Sequence, residues 1–151
     1  MGFFDSLKAS ITSLSNDAAT GIKKFRNKDT LDALMAGCAY IAAADGVITA
    51  DEKAKMVGLV KNSSIVGVFD TSDAIKSFTN FADKLQFDMG VGKSEVMLAV
   101  GKIRKNPDQA RLVIRSCIII AGADGNFDND EKRAVRDICL ELGQSPADFD
   151  L

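Results

Sequence analysis

The chain predicts an all-α fold, a compact bundle of about six to seven helices. Three observations carry that reading. Only two prolines, Pro107 and Pro146, interrupt 151 residues. Apolar residues recur at three- and four-residue spacing, which places them on one face of a helix. No segment reads convincingly as a strand. A hydrophobic fraction of 46% beside 26% charged residues suits a folded domain with its own core.

A leader helix is expected from Phe3 to about Phe25, with Phe4, Leu7, Ile11, Leu14, Ala18 and Phe25 along one stripe. Asn27-Lys28-Asp29 reads as a hinge, dividing a mobile basic leader (1–28) from an all-helical domain (29–151). The next helix runs from about Asp29 to Ala44 and turns Leu31, Leu34, Cys38, Ile41 and Ala42 inward. Asp45-Gly46 ends it, since glycine enters the left-handed conformation without strain. Thr49 starts a helix to about Val60, and residues 62–70 read as a loop or short helical turn. A helix over 71–87 sets Ile75, Phe78, Phe81, Ala82 and Leu85 on one face. Another, from Gly92 to Lys105, is expected to bury Val96, Leu98, Val100 and Ile103. Pro107 fits the first turn of a helix reaching Ala123, because its missing N–H would be unpaired there. The last helix spans about Asn129 to Leu142, closed by Gly143 and Pro146.

Within this series one unit occurs twice. ADGVITADEK at 44–53 and ADGNFDNDEK at 123–132 lie 79 residues apart, and the same shift superposes Asp29 on Asp108 and Cys38 on Cys117. The expectation is an internal repeat of two helical hairpins, each with an Asp-Gly turn followed by an acidic helix start.

Composition narrows the functions open to such a fold. There is no histidine, which removes the commonest general base, the imidazole metal ligand and every Ser-His or Cys-His pair. The expectation is therefore a protein that is not an enzyme. Three cysteines in a chain without a signal peptide suggest reduced thiols in a cytoplasmic protein. Cys38, Cys117 and Cys139 fall on apolar helix faces and lack zinc-ligand spacing, so they read as core residues. Residues 1–28 hold five basic and two acidic groups, leaving 14 basic and 19 acidic in the remainder. An acidic body argues against nucleic acid as partner. The basic, amphipathic leader allows two readings, peripheral contact with an anionic membrane or docking onto the body's own core.

The repeated turns resemble half of an EF-hand loop. With Asp45 at position five, Gly46 falls at six, Ile48 at the apolar eighth and Glu52 at twelve. The second copy matches with Asp124, Gly125, Phe127 and Glu131, and adds Asp128 at nine. Positions one and three are Ile41 and Ala43, or Ile120 and Gly122, none of which offers a side-chain oxygen. The expectation is therefore against an independent EF-hand. A site sharing carboxylates of Asp45, Asp51, Glu52, Asp124, Asp128, Asp130 and Glu131 within or between the turns stays open. Helix capping competes with it: Thr49…Glu52 and Asp128…Glu131 both fit a capping box, and acids in a first helical turn suit the dipole. Capping leaves Asp45 and Asp124 less well explained.

The helix–Ala-Asp-Gly–x–Ile/Phe–x–x–x–Glu-Lys–helix unit, twice in an all-α domain, resembles the TerB family of tellurite-resistance proteins. The likeness covers about residues 29–143, and the opening MGFFDSLK is similar too. The resemblance implies a bacterial cytoplasmic protein of a tellurite-resistance and stress-response system, located at most peripherally at the inner face of the membrane. It implies acidic turns that bind a divalent cation and association with membrane-located proteins of the same system. Carried onto this sequence, the ligands would be Asp45, Glu52, Asp124 and Glu131, with Asp51 and Asp130 in support. Calcium is the cation expected from all-oxygen donors. Two alternatives remain: a metal-independent adaptor for a basic protein surface, and thiol-based reduction of tellurite.

Overall fold

The computed structural model describes residues 11–123, 125 and 127–151. Among them are seven α-helices and no strand: α1 (Ile11–Ile22), α2 (Lys28–Ala42), α3 (Ala50–Asn62), α4 (Thr71–Phe87), α5 (Met89–Gly101), α6 (Pro107–Ala121) and α7 (Asn129–Glu141). Short 3-10 turns follow α1, α3 and α7, at Lys23–Phe25, Val66–Val68 and Pro146–Phe149. The first half of the expected leader stripe, with Phe4 and Leu7, lies outside the described residues.

Helix α2 is the axle of the bundle. Thr30, Leu31 and every residue from Ala33 to Ile41 are buried, against α4, α5, α6 and α7. Small residues make such enclosure possible: a Cβ on Gly37 would sit 2.6 Å from the Cys117 sulfur of α6. The starts of α2 and α6 are tied by polar contacts. Asn27 caps α2 by accepting from the Thr30 N–H at 2.9 Å, and Asn106 caps α6 by accepting from Asp108 and Gln109. The Gln109 amide then donates to the buried Thr30 hydroxyl at 2.7 Å.

A shift of 79 residues carries the limits of α2 and α3 onto those of α6 and α7. The correspondence is one of lengths and caps. The helices flanking each Asp-Gly turn pack chiefly on other elements and little on each other.

Two local expectations need correction. Helix α5 begins at Met89, not Gly92, because Asp88 caps it by accepting from the Val91 N–H at 2.9 Å. Gly92 lies inside the helix, where its bare α-carbon admits the Leu85 backbone of α4. Leu98, expected inward, is 67% exposed; Val96, Val100 and Ile103 are buried as expected, with Ala99 beside them in the core. The described part of the leader, α1, lies against α6 and buries Ala18 and Ile22. At the other end Gly143 adopts φ +68°, and the chain then returns to bury Phe149 fully.

Candidate functional site

Each repeated turn is built from its own sequence. Gly46 and Gly125 take φ of +92° and +85°, a region that glycine reaches without a Cβ clash. Their N–H groups close tight turns onto Ala43 and Gly122, each at 3.0 Å. The Asp45 carboxylate accepts from the Val47 N–H at 3.1 Å, an Asx turn that gives this residue a local structural role. Two residues past each glycine, Ile48 is buried and Phe127 half-buried, pinning the turns to the core. Helix α3 then starts at Thr49, whose hydroxyl accepts from the Glu52 N–H at 3.1 Å. Helix α7 starts with a full capping box: Asp128 accepts from the Glu131 N–H at 2.8 Å, and Glu131 from the Asp128 N–H at 3.0 Å.

The two turns, distant in sequence, open onto one cleft of about 700 Å3. Asp45 and Glu52 reach it from the first turn and helix α3, Asp128 and Glu131 from the second turn and helix α7. Gly125, Lys55 and Lys132 share the lining. The remaining surface is apolar, from Ile41, Ala42, Ala44, Met56, Ala121 and Phe127. Both helix N-termini bring the positive ends of their dipoles near these carboxylates.

Four of the seven expected acids are thus brought to one cleft. Asp51 is exposed and is not part of the lining. Asp130 is likewise outside it and pairs with Arg133 at 2.7 Å. Asp124 lies outside the described residues. No three Asp, Glu or Cys side chains among the described residues converge as a ready set of metal ligands. Sequence reading passed over Lys55, Met56 and Lys132. Their signal was present: Lys55 and Met56 follow Glu52 by three and four residues, which sets them on its helical face, and Lys132 belongs to the repeated Glu-Lys pair.

The cysteines sit away from this cleft. All three are buried and free. Cys117 donates to the Leu34 carbonyl at 3.5 Å. A hydrogen bond with Cys38 and burial hold its thiol well above the usual range. Burial, aided by the charge of Cys117, pushes Cys139 up to about 12. Such thiols present no thiolate to a solute at neutral pH.

An all-helical domain built around paired Asp-Gly turns, with their acids on a shared cleft, is the class these features define. The chain belongs to the TerB family: the family signature described as "Tellurite resistance protein TerB" matches residues 31–151. It is also 32% identical, over 115 residues, to a "Tellurium resistance protein TerB" of Alcaligenes sp, an alignment covering 76% of this chain and 94% of that relative. No solved structure matches it significantly. Family membership associates the protein with tellurite resistance. No helix among the described residues is long and apolar enough to cross a membrane.

Proposed function

We propose that the protein serves tellurite resistance as a non-enzymatic binding module, and that its ligand is a divalent cation held between the two Asp-Gly turns. The observation behind this reading is that both turns contribute carboxylates to one cleft. Asp128 and Glu131 each give one oxygen to the capping box, and their carboxylates line the same cleft as those of Asp45 and Glu52. All-oxygen donors suit calcium or magnesium, and the greater tolerance of calcium for irregular geometry favours it. Because the described acids do not converge as a set of three, a bridging cation would draw the turns together. Cation occupancy would then alter the shape offered to a protein partner of the resistance system, with the basic leader resting on anionic lipid at the inner face of the membrane.

Amide NMR titration with calcium and magnesium tests the cation. Saturable shifts at both Gly46 and Gly125 are expected, with a melting temperature that rises as binding saturates. Silence at both glycines up to millimolar cation refutes the site. A second reading is favoured by the apolar lining beside Asp45, Glu52, Asp128 and Glu131: the cleft takes a basic, partly apolar segment of a partner protein without metal. In that case chelation leaves partner capture unchanged, and charge reversal at Asp45 and Glu52 abolishes it.

A further inference from the structure

Helix α1 rests on α6 and on the short turn Val66–Val68. Ala18 and Ile22 are buried, and Leu14 and Ala19 pack half-buried against the core. Among the described residues, α1 has no hydrogen bond or ion pair to the body. Its one side-chain bond is internal, from the Thr20 hydroxyl to the Asn16 carbonyl at 3.0 Å. Helix α2, by contrast, is tied to α4, α6 and α7 by the Ser77–Asp32, Gln109–Thr30 and Tyr40–Asp137 bonds. Beneath α1 lies a buried polar group. The Ser116 hydroxyl of α6 is fully buried and has no hydrogen-bond partner among the described residues. Leu112, Ser116 and Ile119 share one face of α6 through their spacing of four and three. At one end of that face, a Cβ on Gly21 of α1 would lie 2.9 Å from Leu112 Cδ2. At the other, Ile119 lines a depression with Thr12, Ser15 and Asn16 of α1. Ser116 thus sits under the middle of α1, and a hydroxyl buried without a partner opposes the docking that buries it.

We propose that α1 leaves α6 as a unit and that the face it frees binds an anionic lipid surface. The proposal rests on the contact of the leader with anionic lipid proposed above. Leu14, Ala18 and Ile22 form one stripe at four-residue spacing, and the exposed Lys23, Lys24 and Arg26 follow it directly. An apolar stripe continued by basic residues is the pattern of a helix that lies in the interface of an anionic bilayer. The described half of that stripe is already occupied by the body, and it cannot face lipid and α6 at once. Docked and lipid-bound states therefore exclude each other, and the strength of the α1–α6 seat sets how tightly the chain binds lipid. Leu112 and Ser116, which belong to the body, become controls on membrane binding.

Hydrogen exchange and vesicle binding of the full chain test this. The α1 amides between Leu14 and Gly21 should exchange through a shared opening that leaves α2 protected. Ser116→Ala removes the orphaned hydroxyl and should make that opening about tenfold rarer. It should weaken binding to phosphatidylcholine vesicles containing about 30% phosphatidylserine by a similar factor. Leu112→Ala loosens the contact with Gly21 and should act oppositely on both readouts, strengthening vesicle binding several-fold. Amides of α1 that exchange only together with those of α2 overturn the proposal. Binding to anionic vesicles that either substitution leaves unchanged overturns release, while the leader–lipid contact stands. A wild-type chain that ignores anionic vesicles overturns that contact, and lipid as the occupant with it.

Discussion

Replacing Gly92 by alanine should destabilise the fold, although alanine is the better helix former. A Cβ at this position would lie 2.6 Å from the Leu85 nitrogen and 2.8 Å from Leu85 Cδ2. The first distance is 0.8 Å short of the 3.4 Å at which ordinary contact begins, and the obstacle is backbone, which cannot rotate away. Helix α5 must therefore back off from α4. Overpacking of this kind costs about 1–3 kcal/mol, with the upper end expected against backbone. The helix-propensity gain of about 1 kcal/mol offsets part of it. The net loss is about 2 kcal/mol, a fall of about 4–8 °C in melting temperature for a domain of this size. Gly58 in α3 is the control: a Cβ there meets nothing within 4 Å, and G58A should stabilise by about 0.5–1 kcal/mol. Urea denaturation of the two variants beside wild type measures both signs. A G92A protein as stable as wild type, with G58A behaving as expected, would refute the close-packing account of the α4–α5 junction.

Two further outcomes follow from the caps and the thiols. Thr49→Ala should cost about 1 kcal/mol and Asp128→Ala about 1–2 kcal/mol, because only the second also breaks a reciprocal bond; denaturation midpoints that do not move would show that these caps do not hold in solution. Cys117 and Cys139 are both raised above the ordinary thiol value of 9.0, so the folded state keeps protons that the unfolded chain releases. Their contribution is whole below pH 9 and is lost as pH rises from 9 through about 12, the folded value for Cys139. Stability measured across that window should fall with pH, and Cys139→Ala should fall less steeply; an identical slope in the two proteins would contradict this origin.

The helices were legible in the sequence because most have one apolar face, and a single face fixes both the period and the side turned inward. Caps were legible for the same local reason: Thr49, Asp128 and Pro107 act on their own neighbours in the chain. Helix α5 was misread where that logic fails. With apolar residues on every side, periodicity could not say that Leu98 faces out, and Gly92 looked like a starting point when it is a packing surface. Phe149 belongs to the core because the chain turns back after Gly143, which no local pattern announces. At the site, the acids were visible but their meeting was not. That depends on how α2 and α6 pack, and it brings Asp45 to the cleft that Asp128 lines while leaving Asp51 and Asp130 outside. Asp45 itself gained an explanation, since its bond to Val47 spans two residues of a turn rather than a helix start.

The cleft has one consequence that neither turn possesses alone. Its two walls belong to stretches of chain that meet only when the whole bundle has closed around α2. Whatever lodges there clamps the early half of the polypeptide to the late half. A chain severed in the loop between α3 and α4 would carry every residue of both turns and still have no cleft until its fragments reassembled. Occupancy therefore reports on the integrity of the entire domain, and a ligand gripped across the gap would resist unfolding at sites that it never touches.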